Sequence, residues 1–156
     1  MAIIGFNFTK MHVERKAPIA GKISVKNNVS IKDVEKNDFN FGKVKQTGLK
    51  FTFEFTVDYE PKIADILLEG EVIDLQDEKR ADAIVKEWKK SKKLEPAIMT
   101  SILNTVLSKA NVQALIMSRD MNLPPPIPLP KVNVRGSGNT NDTDAMESNE
   151  TVEVKK

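Results

Sequence analysis

The chain has 156 residues, enough for one domain with a substantial core and too few for two comfortable ones. Its 24 basic residues against 22 acidic ones leave a formal net charge of +2, so nucleic acid is permitted by the charge and not indicated by it. The absence of cysteine excludes a disulfide framework, a thiolate metal site and a cysteine nucleophile, and a lone histidine, His12, excludes a multi-histidine metal centre or a histidine-based catalytic pair within one chain.

No run of about 18 apolar residues occurs, and the opening MAIIGFNFTK lacks a charged segment followed by a long apolar core. The expectation is a soluble, cytoplasmic protein without a membrane partner. From Ile3 to Glu14, Ile4, Phe6 and Phe8 alternate on one parity and Met11 and Val13 on the other, which reads as one long strand with a bulge or bend near Thr9. Lys16 to Gly21 form a turn or crossover by their proline and glycine. A second strand carries Ile23, Val25, Val29 and Ile31 inward, with Lys22, Ser24, Lys26, Ser30 and Lys32 facing water.

Glu35 to Gly48 read as a polar connection, a long loop holding Phe39 and Phe41, which either anchor it or present a sticky site. The clearest strand follows: Leu49, Phe51, Phe53, Phe55, Val57 and Tyr59 alternate with polar residues, so one face is core and the other wet. Glu60, Pro61 and Lys62 turn the chain into an antiparallel strand with Ala64, Ile66, Leu68 and Val72, with Gly70 as a candidate bulge. Leu67, Ile73 and Leu75 make its other face apolar as well, as though it met a second sheet or another subunit.

Asp77 is placed to cap a helix running to about Lys93, with Ala81, Ile84, Val85 and Trp88 on its buried stripe. Lys79, Arg80, Lys86, Lys89, Lys90, Lys92 and Lys93 read as a solvated face, the alternative being a phosphate-binding patch. Pro96 opens a second helix, with Ile98, Ile102, Val106, Ala110, Ala114 and Met117 at helical spacing and Leu103 and Leu107 widening the stripe. Without an interruption before Pro124 it reaches about 27 residues, or about 40 Å.

Five of the eight prolines fall between Pro124 and Pro130 and force an extended strip. Its apolar residues Leu123, Ile127, Leu129 and Val132 are expected to pack back on the domain, the alternative being a free ligand for an aromatic-groove module. After Val134 the composition turns polar, so the expected organisation is a domain over residues 1–134 and a disordered tail over 135–156.

No chemistry stands out. Glu69 and Glu71 share one side of a strand, as an acid pair or metal site would, and also as ordinary solvated carboxylates would. No nucleotide-binding glycine motif occurs; the glycines Gly136 and Gly138 lie in the tail with no helix after them. An enzyme is not expected, and no catalytic, cofactor or metal residues are assigned.

The order of elements is similar to that of the SecB family of export chaperones, including the SecB-like chaperones associated with toxin–antitoxin systems and archaeal relatives. HVERKAPIAGKISV resembles the family's first strand and proline-containing crossover, and FTFEFTVDYEPKIADILLEGEVIDL its central hairpin. LEPAIMTSILNTVLSKA resembles the start of its long helix, and LPPPIPLPKV the apolar segment after it. The resemblance covers roughly residues 5 to 134 and rests on pattern and order.

That resemblance implies an α+β fold, a four-stranded antiparallel sheet packed on one side by C-terminal helices. It also implies a homo-oligomer, dimer or tetramer, that holds unfolded or nascent polypeptides in external apolar grooves without ATP or any cofactor. A holdase needs accessible apolar surface divided or flanked by charge. The client-binding candidates are Met11, Val13, Ile19, Phe39, Phe41, Leu123, Ile127 and Leu129. Bacterial export members are acidic and end in a short helix, and this chain matches neither feature, so the holdase carries over and the export motor does not. The alternative is an adaptor or assembly subunit whose basic helix, Lys86 to Lys93, meets an acidic partner or RNA. A ligand-binding domain with an enclosed cavity is the third reading.

Overall fold

A computed structural model describes residues 2–41 and 44–131; the side chains of Asn40, Phe41, Val44 and Lys45 lie outside the described set, as does the expected tail. The elements in chain order are β1 (Ala2–Arg15), β2 (Ser24–Phe41), β3 (Val44–Glu60), β4 (Ala64–Gln76), α1 (Glu78–Ser91) and α2 (Pro96–Asp120). The fold is α+β. The described residues form one antiparallel sheet of four strands in the order β1-β4-β3-β2. β2, β3 and β4 follow one another as hairpins, and β1 reaches its place beside β4 through the crossover at 16–23, which is the Greek-key arrangement.

Strand β3 fills the middle. Leu49, Phe51, Phe53, Phe55, Val57 and Tyr59 are all buried beneath the helices, and the alternate residues Lys50, Thr52, Glu54, Thr56 and Asp58 form the open face. Lys50 sits 2.9 Å from Glu35 and 3.5 Å from Glu71 across three strands there. α2 covers the sheet with Ile98, Ile102, Val106, Ala110, Ala114 and Met117, the expected stripe, over 25 residues. Those six positions follow helical spacing because each turn returns one residue to the sheet.

The bend in β1 is a bulge. Phe8 pairs with Gly70 and Lys10 with Glu69, leaving Thr9 as the extra residue. This resets the parity, so Phe6, Phe8, Met11 and Val13 all lie on the helix-facing side with their partners Val72, Gly70, Leu68 and Ile66. Gly70 itself is not bulged: its pairing with Phe53 continues the unbroken β3 register. Its missing side chain has another use. A Cβ at Gly70 would lie 2.6 Å from Phe53 Cζ and would also strike the Asn7 carbonyl. The space it leaves lets Phe53 stack on Phe6 at 5.2 Å and meet Phe8 at 6.2 Å across the strand between them.

The expected loop at Glu35–Gly48 is instead the far half of the β2–β3 hairpin. Glu35 pairs with Lys50 and the register continues through Phe39 and Gln46 to Phe41 and Val44. β4 stops opposite Thr47, at Gln76. Past that point the two strands have no third strand to pair with among the described residues, so both faces can be wet and the apolar alternation disappears from the sequence. A second bulge, between Ile31 and Asp33, turns Val34 into the core.

α1 begins after Asp77 as expected, although the Asp77 side chain makes no capping hydrogen bond, and it ends at Ser91 because Lys92 turns left-handed with φ 54°. Trp88 is buried and its indole N–H donates to Asp33 Oδ1 at 3.2 Å, while Lys36 reaches Asp82 at 2.9 Å. These bonds fasten α1 to β2. No helix among the described residues is long and apolar enough to cross a membrane.

Candidate functional site

The proline strip is fastened at the end of the sheet that holds the β3–β4 turn. Asn122, in the left-handed region at φ 52°, reverses the chain after α2, and Leu123 N–H donates to the Ser118 carbonyl at 2.8 Å. Leu123 thereby enters the core, 7% exposed. The buried Tyr59 hydroxyl donates to the Pro124 carbonyl at 2.6 Å. Burial raises the Tyr59 pKa, so the phenol stays a donor. One step further, Asn27 Nδ2 donates to the Pro126 carbonyl at 2.9 Å. The prolines of the strip have no N–H of their own to pair with, and Asn27 on β2 and Tyr59 on β3 donate to the carbonyls of Pro126 and Pro124.

A groove of about 430 Å³ opens between this strip and the last turns of α2. Leu115, Ile116, Leu123, Pro125 and Leu129 form its apolar walls, with Ser118 and Arg119 among them. Ile116 is 39% and Leu129 46% exposed. Ser118 Oγ donates to the Leu115 carbonyl at 2.8 Å, and Arg119 lies 3.3 Å from Asp120. The polar groups are therefore engaged locally, and what the groove offers a visitor is apolar surface beside a guanidinium.

The eight predicted site residues fall into separate patches. Leu123 and Leu129 line the groove, and Ile127 is half-buried in the same strip. Leu123 is a structural floor more than an exposed contact. Met11, 54% exposed, and the half-buried Val13 lie on the edge strand β1, and Ile19 is exposed in the crossover. Phe39 is elsewhere, on the protruding half of the hairpin. Its ring lies over Gly48, where a Cβ would come within 2.8 Å of Phe39 Cδ2. Twelve residues of β2 separate Phe39 from Asn27, about 40 Å of strand. Phe41 closes β2 opposite Val44, and its side chain lies outside the described residues.

Sequence reading missed the anchors and the outer wall. Asn27 carried a signal: it occupies an inward parity between Val25 and Val29, where a polar side chain needs a partner. Tyr59 ends a row of otherwise apolar residues, and its hydroxyl marks where the core meets a carbonyl. Ile116 lies off the buried stripe of α2 and gave no distinct signal.

Titratable groups gather on the open face of the sheet. His12 Nε2 lies 3.6 Å from Glu14 and 4.0 Å from Asp65. Lys16 Nζ already sits 2.6 Å from the Asp65 carboxylate, and its hydrogen bond to that carboxylate raises the lysine pKa. The cluster is thus a surface network whose central carboxylate is already engaged by Lys16. Of the acid pair, Glu71 is engaged by Lys50, and Glu69 lies opposite Lys10 and Glu54 in the register.

No protein-family model matches the sequence, and neither does any curated protein sequence. Four chains among the solved structures match. One is a SecB-like chaperone from Mycobacterium tuberculosis, solved in complex with a ChAD peptide from an antitoxin. It is 7% identical, with a TM-score of 0.49 over 85% of this chain and 89% of that chain. That likeness is one of architecture alone.

Proposed function

We propose that the protein is an ATP-independent holdase that keeps unfolded or nascent polypeptides soluble by binding their apolar segments. The observation that carries this reading is the groove between α2 and the proline strip, with exposed Ile116 on the helix side and exposed Leu129 on a strip that donors from two strands hold in place. Rigid apolar walls lose little entropy when a chain settles on them, and the exposed Arg119–Asp120 pair flanks the apolar surface with charged groups. The partly exposed row on β1, Met11 and Val13 with Phe8, provides a second apolar surface on the helix-facing side. In this reading the protein works as a homo-oligomer in the cytoplasm, with no cofactor and no catalytic step.

The test is suppression of aggregation of a chemically unfolded protein, without nucleotide, at low and moderate salt. Suppression should persist at both salts because apolar contacts do not depend on counterion release. The double variant Ile116→Ser and Leu129→Ser should retain its unfolding midpoint within about 1 kcal/mol, since both side chains are substantially solvated. It should lose most of the suppression. A folded double variant that suppresses as well as the parent would remove the groove from the function.

A further inference from the structure

The groove is built from α2 and the proline strip, and the charges on these two elements are unequal. From Pro96 to Lys131 they are Lys109, Arg119, Asp120 and Lys131, three cations against one carboxylate, and all four residues are exposed. The sheet does not share this bias. On its open face Lys50 meets Glu35 and Glu71, Lys32 meets Glu54 at 2.9 Å, and Lys26 meets Glu60 at 3.1 Å.

Each cation stands beside accessible apolar surface. Arg119 is in the groove wall with Ile116 and Leu129. Lys109 lies about two helical turns before Ile116 on the same side of α2, and Val112, 58% exposed, comes between them. The Lys109 amine sits 5.5 Å from the centre of the Phe6 ring, so it also borders the apolar row of β1. Lys131 follows Leu129 by two residues, no more than about 7 Å along the strip. Neither lysine has a carboxylate partner among the described residues. Asp120 holds Arg119 at 3.3 Å, but the two side chains are 62% and 77% exposed. A pair so exposed is weak, and one carboxylate does not use up the N–H donors of a guanidinium. Asp58 and Glu60, the acids at this end of β3, alternate to the open face of the sheet and away from the strip.

On the holdase reading, on which this inference rests, we propose that the groove prefers unfolded segments whose apolar residues are flanked by carboxylates, which meet Lys109, Arg119 and Lys131. Lys109 and Arg119 are about 15 Å apart along the helix axis, the span of four to five extended residues. Acids at that separation bracket a short apolar run, which then lies over Val112 and Ile116. A segment flanked by lysines brings like charge to the same places, beside apolar walls that keep part of the water away.

The test uses the full chain and two labelled peptides that share the apolar core Leu-Val-Phe-Leu, bracketed by glutamates in one and by lysines in the other. Binding is followed by fluorescence anisotropy. At about 50 mM salt the glutamate peptide should bind about five-fold more tightly. The two affinities should converge by about 0.5 M salt, where the Debye length falls to about 4 Å. A full-chain variant carrying K109Q, R119Q and K131Q should lose the preference. One carrying K86Q, K89Q and K90Q removes as many charges from α1 and should keep it. Equal affinities for the two peptides in the parent overturn the proposal and leave the holdase reading standing, and so does a preference lost with the α1 variant instead. A folded parent that binds neither peptide at either salt overturns the holdase reading, and the proposal falls with it.

Discussion

Phe55 and Met11 lie in one cross-strand row, joined through Leu68, on the same face of the sheet. Phe55 is fully buried and Met11 is 54% exposed. Residue type does not separate them, since both are large and apolar. Position does: the helices pack on β2, β3 and β4, and β1 is an edge strand beside that cover. One apolar row therefore begins as core on β3 and ends as accessible surface on β1, across three strands. Sheet order, not hydropathy, decides which part is which.

The largest test breaks the buried end of the row. Phe55→Ala should cost about 3–5 kcal/mol, from lost transfer energy and the cavity left beneath α2. Urea unfolding should report it as a lower midpoint with an unchanged slope. A loss below about 1 kcal/mol would mean that the helices do not close over β3 as described.

The same logic sets what the sequence made legible. β3 could be read residue by residue because one of its faces is dry and the other wet throughout the stretch from Leu49 to Tyr59. The bulge at Thr9 was legible for the same reason, since a change of parity on a strand with one apolar face needs an extra residue. The outer hairpin was not: with neither face covered, Asn37, Asp38 and Gln46 carry no alternation to detect. The proline strip announced its extended conformation through composition. Its anchors depended on which strands lie beneath it, a long-range fact that local spacing does not encode. The candidate residues were chosen for apolar character alone, so Leu123 in the floor and Phe39 on the distant hairpin were grouped with Leu129.

An intermediate test uses Asp74, where the sequence offered no warning of burial. It lies on the helix-facing side between Ile3 and Leu49 and is fully buried. Gln76 Nε2 donates to Oδ2, and Oδ1 has no hydrogen-bond partner among the described residues. Burial raises the Asp74 pKa, with the bonds from Gln76 and the Ala2 backbone opposing it. The folded state therefore holds a proton more tightly than the unfolded chain. Stability from this group is fully present below the unfolded pKa, near 3.9, and is lost as pH rises through the higher folded value. Asp74→Asn removes the buried charge and should gain about 1 kcal/mol at neutral pH relative to the parent. The gain should shrink toward pH 4. A difference that is constant across that range would show that Asp74 does not titrate with folding.

The smallest effect on stability falls at the open end of the row, and it discriminates best. Met11→Ser removes a side chain that is already more than half in water, so the unfolding midpoint should move by no more than about 0.5 kcal/mol. If the edge row serves unfolded chains, aggregation suppression should fall even though the fold is intact. The serine keeps the strand's backbone pairing with Leu68, so any loss belongs to the side chain and not to β1 itself. Unchanged suppression would assign the row to another role and confine client binding to the groove at Ile116 and Leu129. A large loss of stability would carry a different meaning: Met11 would then be covered in solution, with the edge of β1 buried against a second copy of the chain.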